Sequence, residues 1–343
     1  MNVVVFRALN LGDMLCAVPA LRALRAQLPQ AHITLVGLPS ALPVLRRFPD
    51  YVDEFVEFPG DPAFPEQPVR EEALPVFYGA MRARSFDLGI QLHGSGGRSN
   101  EVVRAMAPAQ WLGFVPEPCQ AVPGRLLPWP DHLHEVHRYL ALLAHAGIDA
   151  HDDTLDFPLT AQDEAQADEL AGRLDLDLDR AVFLHAGARL ASRRWPAERY
   201  ARVALALEAE GWQVALTGSP GESAIIDALQ NHAGRRFASL CGETTLGALA
   251  ALLKRGRLLI CNDTGISHVA AAVHAPSVVI ASGSDVARWA PLDTWRHVVL
   301  HALMDCRPCA YDECPVGHPC ALAIGVDDVL AQARRRLHGA LAT

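Results

Sequence analysis

Short apolar runs of strand length alternate with stretches of helical periodicity along the first half of the chain. The predicted strands there are 3–6, 32–37 and 86–92. One face of a helix between the first two strands is formed by Ala17, Leu21, Leu24 and Leu28, and that helix is expected to end before Pro29. Segment 59–75 is rich in proline and acid and is predicted to be a loop. This alternation is typical of βαβ units and a parallel sheet.

The same alternation begins again in the second half, after a bridge near residues 155–162. The predicted strands are 181–185, 213–217, 258–261 and 277–281. The predicted helices are 197–210, 222–231, 246–253, 267–273 and 326–341. We therefore predict an α/β protein of two doubly wound, Rossmann-like domains facing across a cleft, with residues 1–158 in the first and 159–343 in the second. The final helix, 326–341, is a candidate to pack back on the first domain.

Composition and charge narrow the class of protein. The 343 residues suit two domains of roughly 150 residues each. A formal net charge of −9 provides no basic field for a phosphate backbone, so no nucleic-acid partner is expected. The N-terminus lacks a signal-peptide pattern, and no apolar run approaches the roughly 20 residues that span a bilayer. We expect a cytoplasmic protein with at most a peripheral contact at the inner membrane face.

The first turn with candidate chemistry is 9–15, where the first strand passes into the first helix. Gly12 allows a ligand to approach the backbone closely, and Asp13 lies at the positive end of the helix. The turn has one glycine, whereas dinucleotide-binding turns have three, so that fingerprint is absent. An acid in place of a phosphate cradle indicates a base, and the alternative is a helix cap.

Three further polar turns follow strands in the second half. Arg193 and Arg194 stand just before a proline-initiated helix, where two guanidinium groups fit a diphosphate or form a solvated basic loop. Gly218 opens another turn, in which Glu222 is placed to accept ribose hydroxyls or to cap a helix. The residues that crowd the start of the next helix are Asp263, Thr264, Gly265 and His268. Free amides at a helix start favour an anion.

The order of these motifs resembles glycosyltransferase family 9, the ADP-heptose:lipopolysaccharide heptosyltransferases and their relatives. The matching blocks are 11–13, 19–25, 193–196, 218–222, 262–268 and 288–291. The resemblance implies the GT-B fold, with the acceptor bound by the first domain and the nucleotide-sugar by the second. It implies an inverting, metal-independent transfer of a sugar, expected to be heptose from an ADP-linked donor, to a glycolipid or polysaccharide such as the lipopolysaccharide inner core. A nucleotide-sugar epimerase and a non-catalytic nucleotide-sugar-binding protein are the alternatives.

The resemblance also implies roles for individual residues. Asp13 matches the proposed catalytic base of the family. Arg193 stands where those heptosyltransferases place a phosphate-binding lysine, which keeps the charge and changes its geometry. Glu222 matches a residue that holds the donor ribose. The expected donor residues are Arg193, Arg194, Gly218, Glu222, Asp263, Thr264, Gly265 and His268. The expected acceptor residues are Gly12, Arg47 and Arg98, and 93–100 is predicted to be a flexible loop that closes over the acceptor.

Two stretches raise the question of a metal. Asp175, Asp177 and Asp179 have the Asp-x-Asp spacing of some metal-binding transferases, but they precede a strand, so a solvated loop is expected. Four cysteines crowd into residues 306–320, namely Cys306, Cys309, Cys314 and Cys320. A structural zinc is one interpretation of this cluster, and reduced thiols or a redox-sensitive disulfide are the others. No cofactor is expected for catalysis.

Overall fold

The computed structural model describes residues 1–339, which form two compact units with a boundary between Asp156 and Phe157. The strands of the first unit are β1 (Asn2–Phe6), β2 (His32–Gly37), β3 (Glu54–Glu57), β4 (Leu88–Gln91), β5 (Gln110–Val115) and β6 (Leu126–Pro128). Its helices are α1 (Leu11–Gln27), α2 (Leu42–Leu45), α3 (Leu74–Ala83), α4 (Arg98–Ala105) and α5 (Glu135–His145).

The sheet of the first unit is parallel, and within the described residues its order is β3-β2-β1-β4-β5-β6. The central strand β1 is buried from Val3 to Phe6, which explains why it is a continuous apolar run rather than an alternating one. The strand order reverses at β1, between β2 and β4. Open α/β sheets bind ligands outside the carboxyl ends of the strands at this point.

The second unit repeats this architecture. Its strands are β7 (Ala181–His185), β8 (Gln213–Leu216), β9 (Ala238–Ser239), β10 (Leu258–Asn262), β11 (Ser277–Ile280) and β12 (His297–Leu300). Its helices are α6 (Ala161–Arg173), α7 (Ala197–Ala209), α8 (Ser223–Ala233), α9 (Leu246–Arg255), α10 (Gly265–Ala272), α11 (Val286–Trp289), α12 (Pro319–Leu322) and α13 (Val326–His338). The parallel order is β12-β11-β10-β7-β8-β9 in the described residues, so the order reverses between β7 and β10. Both sheets therefore have the Rossmann strand order.

Two predicted segments differ from the structure in a way that bears on function. The predicted loop 93–100 is wrong at its end, because α4 begins at Arg98 and buries Ser99, Val102 and Val103. The glycines before it concealed this short helix in the sequence pattern. The predicted helix 267–273 begins earlier, at Gly265, so its free amides directly follow Thr264.

The last described helix, α13, belongs to the core of the second unit. Its apolar residues Val329, Leu330, Ala333 and Leu337 pack in one hydrophobic cluster with residues of β7, β10, β11 and α7. The apolar face of α13 is therefore buried within its own unit. Residues 340 and 341 of the predicted helix lie outside the described residues. Between residues 1 and 339, every helix is too short or too polar to cross a membrane.

Candidate functional site

The strand-end site of the first unit is built around Arg7, the residue that follows β1. Its side chain is fully buried. Its guanidinium donates to the main-chain carbonyl of Asp13 at 2.9 Å, to that of Leu92 at 2.5 Å and to the Tyr139 hydroxyl at 2.5 Å. These partners come from α1, from the residue after β4 and from α5. Arg7 thus ties three elements together at the edge of the sheet where ligands are expected.

Glu135, the first residue of α5, balances the positive charge of this site. Its Oε1 lies 3.8 Å from Arg7 Nη2, and its Oε2 accepts from Arg138 Nη1 at 2.9 Å. The Tyr139 hydroxyl donates to the same carboxylate. Burial raises the pKa of Tyr139 well above 10, so its hydroxyl stays protonated. Each of these buried ions faces an opposite charge, which burial of charge requires.

Asp13 lies in the first turn of α1, where Asn10 occupies the N-cap position. Its side chain is 23% exposed, and its Oδ1 lies 4.0 Å from Arg7 Nη2. Nε and Nη2 of Arg7 both donate to its main-chain carbonyl. A carboxylate that is partly exposed on a fixed backbone is suited to accept a proton from a substrate hydroxyl.

His93 lies at the same edge, two residues after β4. Its Nδ1 accepts the main-chain N–H of Ala8 at 3.2 Å, and its ring packs on Phe6 and Phe64 with centroid distances of 5.0 and 4.3 Å. Burial, together with repulsion from Arg7, lowers the pKa of His93 to about 3. The imidazole is therefore neutral near pH 7, and its proton lies on Nε2 because Nδ1 accepts. The sequence placed His93 at the start of the predicted acceptor loop and did not indicate that it would be an uncharged N–H donor.

The residues expected to bind the acceptor lie in different parts of the first unit. Gly12 is in the first turn of α1. Arg98 begins α4 and donates to Glu101 at 2.5 Å and to Asp61 at 2.8 Å, and these bonds raise the pKa of Arg98. Arg47 is half-buried in the connection from β2 to β3. The acceptor role of these residues stays a prediction, and Arg98 is already paired with two carboxylates.

Asn262, the last residue of β10, holds the strand ends of the second unit together. It is fully buried. Its Oδ1 accepts the main-chain N–H of Trp195 at 2.9 Å. Its Nδ2 donates to the carbonyls of Ala186 at 2.8 Å and Gly187 at 3.2 Å. Because Asn262 joins the ends of β7 and β10, it fixes the turns around the point where strand order reverses. The sequence placed Asn262 in a motif without indicating this bridging role.

Glu222 ends a short 3₁₀ turn before α8, rather than beginning the helix as predicted. Its Oε2 accepts from Ser219 N–H at 2.7 Å and from Ser219 Oγ at 2.8 Å, which makes a capping box. Its Oε1 lies 3.8 Å from His185 Nε2. A Cβ at Gly187 would overlap this carboxylate, so glycine is required for Glu222 to lie against the end of β7. The capping alternative is realised, and the ribose contact stays a prediction.

Arg194 and Gly218 both serve main-chain geometry at the strand ends. Arg194 Nε donates to the Ala188 carbonyl at 2.8 Å, which links the turn before α7 to the end of β7. Gly218 lies two residues after β8, and its carbonyl accepts the Gly242 N–H at 2.9 Å. Their contacts with a donor stay predictions.

Arg193 lies among charges of both signs and keeps an unused hydrogen-bond donor. Its Nη2 donates to the Cys309 carbonyl at 2.7 Å, while its Nε is buried without a hydrogen-bond partner. Burial lowers the pKa of Arg193; Asp263 attracts its charge, and Arg307 and Arg189 repel it. A half-buried cation with cationic neighbours and an unused donor is suited to bind an anion such as a diphosphate.

The start of α10 lies directly after β10 and Asp263. Thr264 is the N-cap residue without a side-chain capping bond, and Gly265 is the first helical residue. Ser267 Oγ donates to the Thr264 carbonyl at 2.8 Å. His268 is 5% exposed, and its ring centroid lies 6.3 Å from that of Trp289. The amides of this helix start are therefore at the carboxyl edge of the sheet, as the predicted anion site requires.

The four clustered cysteines do not form the predicted zinc-binding set. Cys306 is exposed and Cys320 is buried, while the Cys314 sulfur accepts the His318 N–H at 3.2 Å. Across residues 1–339, no three His, Cys, Asp or Glu side chains are grouped so that they could hold a metal ion. All cysteines in this described part are free thiols. The aspartates 175–179 lie at an exposed turn before β7, where Asp177 accepts the Asp179 N–H at 3.0 Å.

Comparisons with known proteins identify the family. The family model described as "Glycosyltransferase family 9 (heptosyltransferase)" matches residues 77–319, well over half of the chain. Lipopolysaccharide heptosyltransferase 2 of Escherichia coli (strain K12) is 28% identical over 295 residues, which are 82% of this chain and 82% of that protein.

Two solved structures share the fold. A family 9 glycosyl transferase from Veillonella parvula superposes with a TM-score of 0.81 at 22% identity, covering 98% of this chain and 97% of the other. The ADP-heptose lps heptosyltransferase II of E. coli superposes with a TM-score of 0.73 at 24% identity, covering 98% and 99%. The chain belongs to glycosyltransferase family 9, the heptosyltransferase family, and is a glycosyltransferase of the GT-B fold.

Proposed function

We propose that the protein transfers a heptose from ADP-heptose to a glycolipid or polysaccharide acceptor of the lipopolysaccharide inner core, with inversion and without a metal at the leaving group. The names of two relatives support this donor and acceptor, since one is a lipopolysaccharide heptosyltransferase and the other an ADP-heptose lps heptosyltransferase. The observation that carries the proposal is the charge of the Arg193 guanidinium, whose Nε is buried without a hydrogen-bond partner and which has Arg189 and Arg307 as cationic neighbours besides Asp263. A diphosphate is the donor group that would neutralise it.

The first unit supplies the proton acceptor. The Asp13 carboxylate takes the proton of the acceptor hydroxyl as the oxygen of that hydroxyl bonds to the anomeric carbon of the donor. Arg7 holds the Asp13 main chain in place, so the carboxylate does not depend on a flexible turn for its position. His93 offers a neutral N–H, which suits a hydroxyl of the acceptor.

The second unit holds the donor. As the bond from the anomeric carbon to the diphosphate oxygen breaks, its electron pair stays on that oxygen and ADP leaves. Arg193 and the amides at the start of α10 stabilise this charge, and preorganised donors of this kind act without rearrangement. Three guanidinium groups, those of Arg189, Arg193 and Arg307, supply the positive charge that a divalent ion supplies in other transferases.

The test is an incubation of the purified chain with ADP-heptose and a lipopolysaccharide acceptor that lacks its outer heptose. We expect a heptosylated acceptor and free ADP, with the same rate in EDTA. GDP-, UDP- and dTDP-sugars serve as matched donors and should give much less product. Membrane vesicles that carry the acceptor should support transfer if the protein works at the cytoplasmic face of the inner membrane.

Other outcomes of this incubation would contradict the proposal. An epimerised sugar formed without acceptor would indicate an epimerase, and tight binding of the nucleotide-sugar with no product would indicate a binding protein. Loss of transfer in EDTA would overturn the metal-independent part of the proposal alone.

A further inference from the structure

Apart from Arg307, the cysteine-rich segment, residues 306–320, has no part in the transfer chemistry described above, yet it contacts the proposed donor site. It holds Ser192 through hydrogen bonds on three sides: the Ser192 N–H donates to the Asp312 carbonyl at 3.0 Å, and Ser192 Oγ donates to the Tyr311 carbonyl. His318 Nε2 lies 2.7 Å from the Ser192 carbonyl, for which it is the donor. Ser192 immediately precedes Arg193, so this segment fixes the backbone from which the arginine extends.

The same segment also reaches the Arg193 side chain and the turn after β11. Arg193 Nη2 donates to the Cys309 carbonyl at 2.7 Å, and the Cys309 N–H donates to the Gly283 carbonyl at 2.8 Å. Arg307 donates to the Ser284 carbonyl at 2.9 Å. The segment is therefore bonded to both turns that flank the guanidinium of Arg193.

Polar atoms without partners mark this place as a site for a ligand. The Nε of Arg193 and the hydroxyls of Ser282 and Ser284 are buried with no hydrogen-bond partner. Ser282 is 0% and Ser284 is 2% exposed. Buried polar groups are nearly always paired, so a cluster of unpaired donors beside a cation indicates that another group completes the site.

A free arginine side chain has many rotamers, and fixing it on binding opposes affinity. The carbonyl of Cys309 and the anchoring of Ser192 remove much of this freedom in advance. We propose that the cysteine-rich segment positions Arg193 for the diphosphate of the donor, and that His318 is a positioning residue that acts through Ser192. This inference rests on the proposed function, because the diphosphate of that donor is the ligand.

His318 allows a clean test, because its φ of 62° is in the left-handed region, which glycine adopts without strain. His318→Gly removes the imidazole and keeps the backbone, while His318→Gln retains a side-chain N–H donor. The affinities of the full chain for ADP and for adenosine are measured by calorimetry. We expect His318→Gly to weaken the affinity for ADP by about tenfold, since one hydrogen bond in a charged site is lost. The affinity for adenosine should stay unchanged. His318→Gln should recover most of the loss.

Two further variants keep the result interpretable. Ser192→Ala removes the bond to Tyr311 and should weaken ADP in the same direction, and it replaces His318→Gly if that variant does not fold. His232→Gln, at an exposed position of α8, should change neither affinity.

The wild type separates this inference from the proposed function. A wild type that binds ADP no better than adenosine overturns both. If the wild type clearly prefers ADP and a folded His318→Gly keeps that preference, the inference alone is overturned. An equal loss of ADP and adenosine would likewise show a merely structural role for His318.

Discussion

The strand ends of the two units carry arginines that differ in their charged neighbours and in their hydrogen bonds. In the first unit, Arg7 is fully buried with Glu135 at 3.8 Å and Asp13 at 4.0 Å, and its guanidinium bonds to main-chain and side-chain oxygens. In the second unit, Arg193 is attracted by Asp263 and repelled by Arg189 and Arg307, and its Nε has no hydrogen-bond partner. The strand order of the two sheets is the same, so the fold does not cause this difference.

The difference suits the two units to different halves of the proposed reaction. Paired ions such as Arg7 and Glu135 have no free capacity for a ligand, but they fix the backbone that carries Asp13. A cation without an ion-pair partner lowers the stability of the ligand-free protein, and binding of an anion there is correspondingly favourable. The first unit is thus suited to position a proton acceptor, and the second is suited to bind a charged leaving group.

Removal of the Asp13 carboxylate has the largest expected effect. Asp13→Asn should lower transfer by about 10²–10⁴-fold, the usual contribution of a general base. Binding of ADP, measured by calorimetry, should stay unchanged because the donor groups lie in the second unit. Asp50→Asn, at an exposed turn of the first unit, is the matched control and should transfer normally. Near-normal turnover of Asp13→Asn would show that another group is the base.

Breaking the paired network tests the first half of the comparison. Arg7→Met should destabilise the protein by about 3–5 kcal/mol, because it leaves Glu135 without one of its buried partners. Urea unfolding of the full chain measures this loss of stability. Arg236→Met, which removes an exposed arginine paired with Asp227, should cost less than about 1 kcal/mol. If the two variants were equally stable, the buried network would not be what fixes the site.

Removing the Arg193 side chain should weaken ligand binding more than stability, which is the opposite of the effect expected for Arg7→Met. Arg193→Gln is expected to weaken ADP binding by about 10–100-fold, since a hydrogen bond to a charged group contributes about 1.5–3 kcal/mol. The unfolding free energy should change little, because burial and the repulsion from Arg307 and Arg189 offset the attraction of Asp263. Arg202→Gln, on the exposed side of α7, controls for the change in net charge. A strong loss of stability with intact ADP affinity would reverse the comparison.

The smallest effect near neutral pH concerns His93. Its pKa is about 3 in the folded protein and about 6.5 when unfolded, so only the unfolded chain gains a proton between these values. The contribution of His93 to the free energy of unfolding is therefore full above pH 6.5 and falls by about 1.4 kcal/mol per pH unit below it. His93→Gln should show a shallower loss, measured by urea unfolding from pH 7 to pH 5. His297, with a pKa of about 4 from burial, and His185, whose pKa burial also lowers, remain in this variant and contribute to its residual slope.

Local patterns in the sequence were enough for the architecture. Strands 32–37 and 181–185 were predicted with the observed bounds, because a buried parallel strand is a short apolar run whatever lies around it. The α4 helix escaped prediction, since its eight residues follow positive-φ glycines at 94, 96 and 97 and bury a serine. The family was predicted from motif order and is confirmed by the family match.

The chemistry of the strand ends was only partly in the sequence. Asp13, Arg193 and the 263–268 turn stand in short motifs, so their positions after strands could be predicted. Arg7 meets Tyr139 across 132 residues of sequence, and no local pattern predicts that contact. The cysteine cluster shows the limit of a local pattern: its density left zinc, reduced thiols and a disulfide open, and it did not predict the bond between the Cys309 carbonyl and Arg193.

The sequence by itself determined the elements, their order and the motifs at their ends, because periodicity and turn residues act within a few positions. Only the tertiary structure decided which charges are paired and which are left for a ligand. Pairing depends on distances between residues that folding brings together from distant parts of the chain, and on the burial that makes an unpaired charge costly.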